Sequence, residues 1–174
     1  MIAPDAFRSP RILRESSVRL EPLTQTVPED YLRGLQDPEV QRLTGTHAAF
    51  DRAAVEDWLR TRADQNDRAD WAVLGAHDGG FLGESVLNNL DADNGSASFR
   101  VWLAGLEVFG RGYGTEGTRP VVDYAFDVAG LHRLALRSMS TTRVRAGCRR
   151  SAGSPSKGGG ERPCCGGGAA TTPS

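Results

Sequence analysis

The sequence has 174 residues, of which 39% are hydrophobic and 25% are charged, and its formal net charge is −1. This composition is typical of a one-domain globular protein, and no apolar run approaches the roughly 20 residues that span a bilayer. The first 17 residues are polar and lack the apolar core of a secretory signal, so we expect a cytoplasmic protein that does not act at a membrane.

The first predicted elements are a strand and two helices. The segment VRLEPL (18–23) alternates apolar and polar residues, as a half-buried strand does. Pro28 is well placed to open a helix that Gly45 closes, and Pro38 should split that helix into two pieces. Asp51 can cap a second amphipathic helix, DRAAVEDWLRTRADQ.

The next predicted elements are mostly strands. The segment DWAVLGAHDGGFLGESVLNNL favours a hairpin with its turn at HDGG, and SASFRVWL (96–103) is a further strand. A glycine-rich loop then leads into the helix TEGTRPVVDYAFDVAG, which Gly130 ends. Pro120 suits only the first turn of that helix or a kink. A last strand starts at HRLALRS, so the order predicts an α/β (α+β layered) domain with a mixed, mostly antiparallel sheet flanked by helices.

Residues 138–174 differ in composition from the rest of the chain. They contain no aromatic residue, no Leu and no Ile, and their charge is +5, which leaves −6 for the remainder. Such a segment cannot offset the entropy cost of ordering, so we expect a disordered tail. Cys148, Cys164 and Cys165 lie in it without paired CxxC spacing, and no metal site is predicted.

The loop VFGRGYGTEG (108–117) joins a predicted strand to the start of a predicted helix. Gly110, Gly112 and Gly114 would let the backbone approach a phosphate closely, and Arg111 adds a positive charge. The free N–H groups and the dipole at a helix N-terminus favour an anion at this position. A phosphate site is therefore predicted, with a flexible turn as the alternative.

These segments together resemble the GCN5-related N-acetyltransferases (GNAT), in particular the branch that acetylates the N-termini of ribosomal proteins. The family signature places Gln or Arg three residues before a first glycine, and Gly or Ala two residues after it. Here Phe109 takes the first position, Gly112 and Gly114 take the glycine positions, and Gly117 replaces a usual alanine.

The resemblance divides the chain into an N-terminal extension (1–17), an acetyltransferase domain (18–137) and the tail (138–174). It implies an acyl-CoA N-acyltransferase-like fold that is incomplete at its C-terminus. Relatives carry an NPxS motif, a short helix ending in GF and a closing strand after the last strand named above. None of these is present, so we expect impaired activity. A frameshift in the gene would explain the tail, and a natural extension is the alternative.

The resemblance implies acetyl-CoA as the co-substrate. Its pyrophosphate would contact the glycine-rich loop, and its pantetheine arm would pair with a strand backbone that also polarises the thioester carbonyl. Trp102 could instead be a core aromatic residue. The implied cofactor-binding residues are Val101, Trp102, Leu103, Gly110, Arg111, Gly112, Tyr113, Gly114 and Thr115.

The acceptor is expected to be a primary amine, either a protein N-terminus or a small molecule. Glu84 is the candidate catalytic base, and a solvated strand carboxylate is the alternative interpretation. Ser98 occupies a position where relatives often carry glutamate. His47 could line the acceptor entrance or be an ordinary surface histidine. The oligomeric state is not predicted.

Two other functional classes use some of the same features. A non-catalytic module that binds CoA or nucleotide phosphates would also need the glycine-rich loop. Specific nucleic-acid binding is disfavoured, because the arginines of the tail have no interleaved aromatic residues and the body of the chain is acidic.

Overall fold

A computed structural model describes residues 2–3, 5–23, 29–46, 48, 50–62 and 65–136. In this part of the chain, six strands form one sheet in the order β1 to β6, antiparallel from β1 to β5 and parallel between β5 and β6. The predicted mixed, mostly antiparallel sheet is therefore confirmed. The strands are β1 (Leu13–Arg14), β2 (Val18–Pro22), β3 (Ala69–Gly75), β4 (Phe81–Asp91), β5 (Ser96–Leu103) and β6 (Arg133–Leu136).

Five α-helices flank this sheet in the described residues, and none of them is long and apolar enough to cross a membrane. Three of them connect β2 to β3, because Pro38 breaks the first predicted helix as expected. Gly45 ends the second piece with a φ of 69°, which glycine adopts without strain. The helices are α1 (Asp5–Arg8), α2 (Glu29–Gln36), α3 (Pro38–Thr44), α4 (Arg52–Arg62) and α5 (Tyr113–Asp123).

The sheet separates two apolar clusters. The larger cluster includes Trp71, Phe99 and Val121, so it lies on the face that α5 covers. The smaller cluster includes Tyr31 of α2 and Trp102 of β5, so it lies beneath α2, α3 and α4. Successive residues of a strand point to opposite faces, and β4 and β5 therefore contribute side chains to both clusters.

Helix α5 differs in two details from its prediction. It begins at Tyr113, two residues early, and a π-helical turn at Tyr124–Val128 follows it before Gly130. Pro120 lies in the helix interior, although it was expected to suit only the first turn or a kink. Proline leaves one backbone carbonyl of the preceding turn without its usual N–H donor. Burial of the flanking helix against the sheet, with Val121 fully buried, offsets that loss.

Described residues of the predicted N-terminal extension contact the sheet. Phe7 of α1 is buried in the larger cluster, and β1 pairs with β2. The backbone carbonyl of Arg11 accepts a hydrogen bond of 2.8 Å from the indole N–H of Trp71. Described residues upstream of Val18 therefore pack against the same sheet as the rest of the chain. The predicted tail, 138–174, lies outside the described residues.

Helix α3 depends on the side chain that precedes it. One carboxylate oxygen of Asp37 accepts hydrogen bonds from the backbone N–H groups of Glu39 (2.8 Å) and Val40 (3.0 Å). We expect Asp37→Ala to lower the free energy of unfolding by about 1–2 kcal/mol, because two helix donors lose their acceptor. Asp37→Asn keeps an acceptor oxygen and should cost less. Urea unfolding measures both variants, and equal losses would contradict this assignment.

Candidate functional site

A cavity of about 400 Å³ lies on the smaller-cluster side of the sheet, beneath helices α2 to α4. We call it the α2–α4 cavity. Most of its wall is aromatic or aliphatic, and Glu84 and Arg100 are its only charged lining residues among those the structure describes. The lining residues are Tyr31, Leu35, Val40, Gln41, Thr44, Thr46, Phe50, Ala54, Val55, Trp58, Glu84, Arg100 and Trp102.

Glu84 is the most unusual residue of this cavity. Its side chain is only 1% exposed, so its interpretation as a solvated strand carboxylate is wrong. One oxygen, Oε2, accepts hydrogen bonds from the indole N–H of Trp102 at 2.6 Å and from Arg100 at 3.2 Å. The other oxygen, Oε1, is buried and has no hydrogen-bond partner among the described residues. Unpaired buried carboxylate oxygens are costly, and one in a cavity wall is a candidate functional group.

The surroundings of Glu84 make ionisation of its carboxyl less favourable than in an exposed glutamate. Burial raises the pKa of the Glu84 carboxyl, and the charge of Asp70 raises it further. Arg100, the Trp102 hydrogen bond and Arg62 act in the opposite direction but do not reverse the shift. A carboxyl group with a raised pKa is a stronger proton acceptor than an ordinary glutamate once it is ionised.

Behind Glu84 lies a buried ion-pair network. The guanidinium of Arg62 is 2.5 Å from Asp70 and 4.0 Å from Oε1 of Glu84. Arg68 also pairs with Asp70, through two contacts of 2.8 Å. Burial lowers the pKa of Arg62 to about 10, which leaves it protonated at neutral pH. Arg62 therefore holds a positive charge behind the cavity wall.

Aromatic side chains make up a large part of the cavity wall. Tyr31 and Trp102 meet edge to face, with ring centroids 5.5 Å apart. The hydroxyl of Tyr31 is buried and lacks a hydrogen-bond partner in the described part of the chain. The guanidinium of Arg62 stacks on the Trp58 ring at 3.1 Å from its centroid, so one face of that ring is already occupied by a cation.

The glycine-rich loop forms the N-terminus of α5. Gly110 and Gly112 have φ angles of 74° and 88°, which disfavour other residue types. A Cβ atom built on either residue meets nothing within 4 Å. Gly112 is the N-cap residue, and no side chain caps the helix there. The loop therefore presents helix N–H groups beside open space, as an anion site requires.

Glu116, in the first turn of α5, was not singled out from the sequence. Its carboxylate accepts a hydrogen bond of 2.7 Å from the backbone N–H of Ser17, between β1 and β2. It also lies 3.4 Å from the hydroxyl of Ser16. Because of these contacts, Glu116 fixes the start of α5 against the sheet, which orients the loop.

The structure brings together only some of the predicted site residues. Glu84 and Trp102 face each other as a cross-strand pair, whereas no residue of the glycine-rich loop lines the α2–α4 cavity. The described pairing of β5 with β6 ends at Phe99 and Leu136. The residues predicted to contact the pantetheine arm, 101–103, come after this last described pair in β5. His47 lies outside the described residues. The residues that the structure describes hold no cluster of three or more His, Cys, Asp or Glu side chains that could bind a metal.

Comparison with known families decides what kind of protein carries this arrangement. The model of the acetyltransferase (GNAT) domain family matches residues 17–141, about 70% of the chain. The chain belongs to the GNAT acetyltransferase family. This confirms the resemblance inferred from the glycine-rich loop and its flanking elements.

Individual relatives of this GNAT protein agree with the assignment. Over 87 residues it is 35% identical to YdaF of Bacillus subtilis (strain 168), named as a ribosomal N-acetyltransferase. The match covers 50% of this chain and 45% of YdaF, so the chain spans about half the length of that relative. Two solved structures share the fold.

A GNAT-family acetyltransferase from Bacillus anthracis has a TM-score of 0.71 at 12% identity, with 82% of each chain covered. Spermidine N-acetyltransferase from Vibrio cholerae, solved with CoA and spermine, has a TM-score of 0.68 at 17% identity. That similarity covers 80% of this chain and 81% of the Vibrio chain. At these identities, the two structures establish the GNAT fold alone.

Proposed function

We propose that this chain transfers an acetyl group from acetyl-CoA to a primary amine held in the α2–α4 cavity. The observation that carries the proposal is Glu84, a buried carboxylate in the wall of that cavity whose Oε1 accepts no hydrogen bond from the described residues. A protonated amine cannot attack a carbonyl carbon, so an acetyltransferase needs a group that accepts its proton. Oε1 of Glu84 is suited to that role.

The remaining residues of the cavity support Glu84. The Trp102 N–H and Arg100 hold Oε2, which leaves Oε1 as the atom that receives the proton. The apolar wall excludes water from the amine, and this strengthens electrostatic interactions inside the cavity. Acetyl-CoA, when bound, supplies the acetyl group as an activated thioester. The acceptor can be a small amine or a protein N-terminus.

The glycine-rich loop fits the phosphate groups of CoA. It combines an uncapped helix N-terminus with two positive-φ glycines whose Cβ positions face open space. We propose that the backbone of Gly110 to Gly114, with Arg111 and Thr115, holds the pyrophosphate. Val101, Trp102 and Leu103 remain the proposed contacts for the pantetheine arm. The bound CoA of the Vibrio cholerae relative is consistent with this use of the fold.

A thermal-shift comparison tests the proposal against a non-catalytic phosphate-binding module. At about 100 times its dissociation constant, acetyl-CoA should stabilise the full chain by about 2.7 kcal/mol, which raises Tm by several degrees. ADP at the same concentration should have a smaller effect, because it lacks the pantetheine arm. Equal shifts for the two ligands would favour the non-catalytic module.

We further propose that turnover is slow. The closing motifs of the family have no counterpart in the sequence of residues 138–174, and the motif asparagine and hydroxyl are expected to serve the cofactor side and the leaving thiolate. Comparing turnover with that of a chain whose reading frame is restored after Arg137 tests this point. Equal rates would contradict it.

A further inference from the structure

The charges around the α2–α4 cavity restrict the acceptor that it can take. We propose that the acceptor is a primary amine with a single positive charge and an aromatic or bulky aliphatic body, and that polyamines are excluded. This inference rests on the acetyltransferase function proposed above and specifies the substrate class of the same site.

The charge balance disfavours a polycation. Among the residues that the structure describes, Glu84 is the only carboxylate that lines the cavity, and its Oε2 already accepts hydrogen bonds from Trp102 and Arg100. Oε1 alone lacks a hydrogen-bond donor among the described residues, and because it is itself buried beside Arg62, at most one ammonium group can pair with it. Two guanidinium groups flank it, since Arg62 lies 4.0 Å away behind the wall and Arg100 lines the cavity with 43% of its side chain exposed.

The wider network points the same way. Arg62, Arg68 and Arg100 carry three positive charges against the two negative charges of Asp70 and Glu84. The net positive charge of this network does not come from one element, because the five residues lie on α4, β3, β4, β5 and the segment before β3. A second or third ammonium group would enter this environment without a carboxylate partner, and desolvating an unpaired charge is costly.

The shape and composition of the wall suit a hydrocarbon body. Phe50, Val55, Trp58 and Trp102 line the cavity, and its volume of about 400 Å³ lies near the small end of ligand cavities in proteins. Burying an aromatic ring against such a wall removes apolar surface from water and so favours binding.

The same chemistry occurs in two sources, namely a free arylalkylamine and a polypeptide that begins with an aromatic residue. Titration calorimetry on the full chain without acetyl-CoA distinguishes them, with phenethylamine, a short peptide amide that begins with Phe, and spermidine as probes. We expect phenethylamine or the peptide to bind about tenfold or more tightly than spermidine. Binding of only one of the two assigns the source. Spermidine binding as tight as that of the aromatic probes would overturn the inference.

A matched pair of variants tests whether charge causes the selectivity. Ala54 lines the cavity at the third position of α4, where glutamate is well tolerated after the cap residue Asp51. The neighbouring Ala53 is exposed like Ala54 but does not line the cavity. Ala54→Glu should tighten spermidine binding about threefold, and Ala53→Glu should leave it unchanged at physiological salt. Equal effects of the two variants would contradict a local cause.

The outcomes separate this inference from the proposed function. If acetyl-CoA binds and the aromatic probes do not, the substrate class is wrong while the acetyltransferase proposal stands. If the aromatic probes bind selectively and acetyl-CoA does not, the substrate class holds for the cavity and the acetyltransferase proposal is wrong.

Discussion

Gly112→Val is expected to abolish acetyl-CoA binding by this chain. The residue has a φ of 88° at the N-cap of α5, and valine in that conformation costs on the order of 1–3 kcal/mol. A Cβ at this position would project into space free of protein atoms within 4 Å, where we place the pyrophosphate. The substitution should therefore both distort the loop and occupy the phosphate position. Titration calorimetry with acetyl-CoA measures the effect.

Gly79→Val provides the matched control. Gly79 also has a positive φ, 68°, and its built Cβ also meets nothing within 4 Å, but it lies in the turn between β3 and β4. Its replacement by valine should destabilise the fold to a similar extent and leave acetyl-CoA affinity unchanged. Undiminished binding in Gly112→Val, or equal losses in the two variants, would remove the phosphate assignment of the loop.

Glu84→Gln should lower acetyl transfer by about 100-fold or more, which is the usual contribution of a positioned general base. Glutamine retains an oxygen that accepts the Trp102 N–H bond, so the geometry of the cavity wall is largely preserved. The proton acceptor at Oε1 is lost. Transfer from radiolabelled acetyl-CoA to phenethylamine measures the rate at low turnover. A rate within about twofold of the wild-type chain would exclude Glu84 as the base.

The pH dependence of the acetyl-transfer rate, measured for the wild-type chain and for Glu84→Gln, gives an independent test of the base. Since the ionised carboxylate is the active form, the rate should rise as pH increases through the pKa of Glu84, which burial raises above its usual value of about 4.3. This rise of the rate with pH should be absent from the residual activity of Glu84→Gln. An identical rise in both proteins would assign the titration to another group.

Stability should change with pH in the opposite sense. A raised pKa in the folded state means that folding favours the protonated form of Glu84. Its stabilising contribution is fully present below the unfolded pKa and is lost as pH rises through the folded pKa. The wild-type chain should thus lose stability relative to Glu84→Gln over that window in urea unfolding.

The elements that could be predicted from the sequence carry their own local signals. Strand β2 has a period of two, α3 begins at Pro38 and is followed by Gly45, α4 follows the cap residue Asp51, and the glycine-rich loop stands between a strand and a helix. By contrast, α1 and β1 have four and two residues, too few for any periodicity. They are held by long-range contacts, such as the Trp71 bond to the carbonyl of Arg11.

The candidate site could be predicted only in part, because its side chains are brought together by long-range contacts. Glu84 was identified as a candidate, but its burial depends on Trp102, Arg100 and Arg62, which lie 16 to 22 residues away in the chain. Burial of a strand carboxylate has no local sequence signal when its partners lie on other elements. Tyr31, whose ring packs against Trp102, could not be connected to Glu84 before α2 was placed over the sheet.

The division of the core by the sheet has a consequence for substitutions in this chain. The cavity wall belongs to the smaller cluster, whereas the larger cluster contains Trp71, Val121 and most of the fully buried side chains. Mutations in the wall of the α2–α4 cavity therefore change the packing of the smaller cluster. The larger cluster, which holds the sheet, α1 and α5 together, is a separate region. Substitutions on α2 to α4 can therefore alter the proposed acceptor site with little effect on the packing of the opposite face.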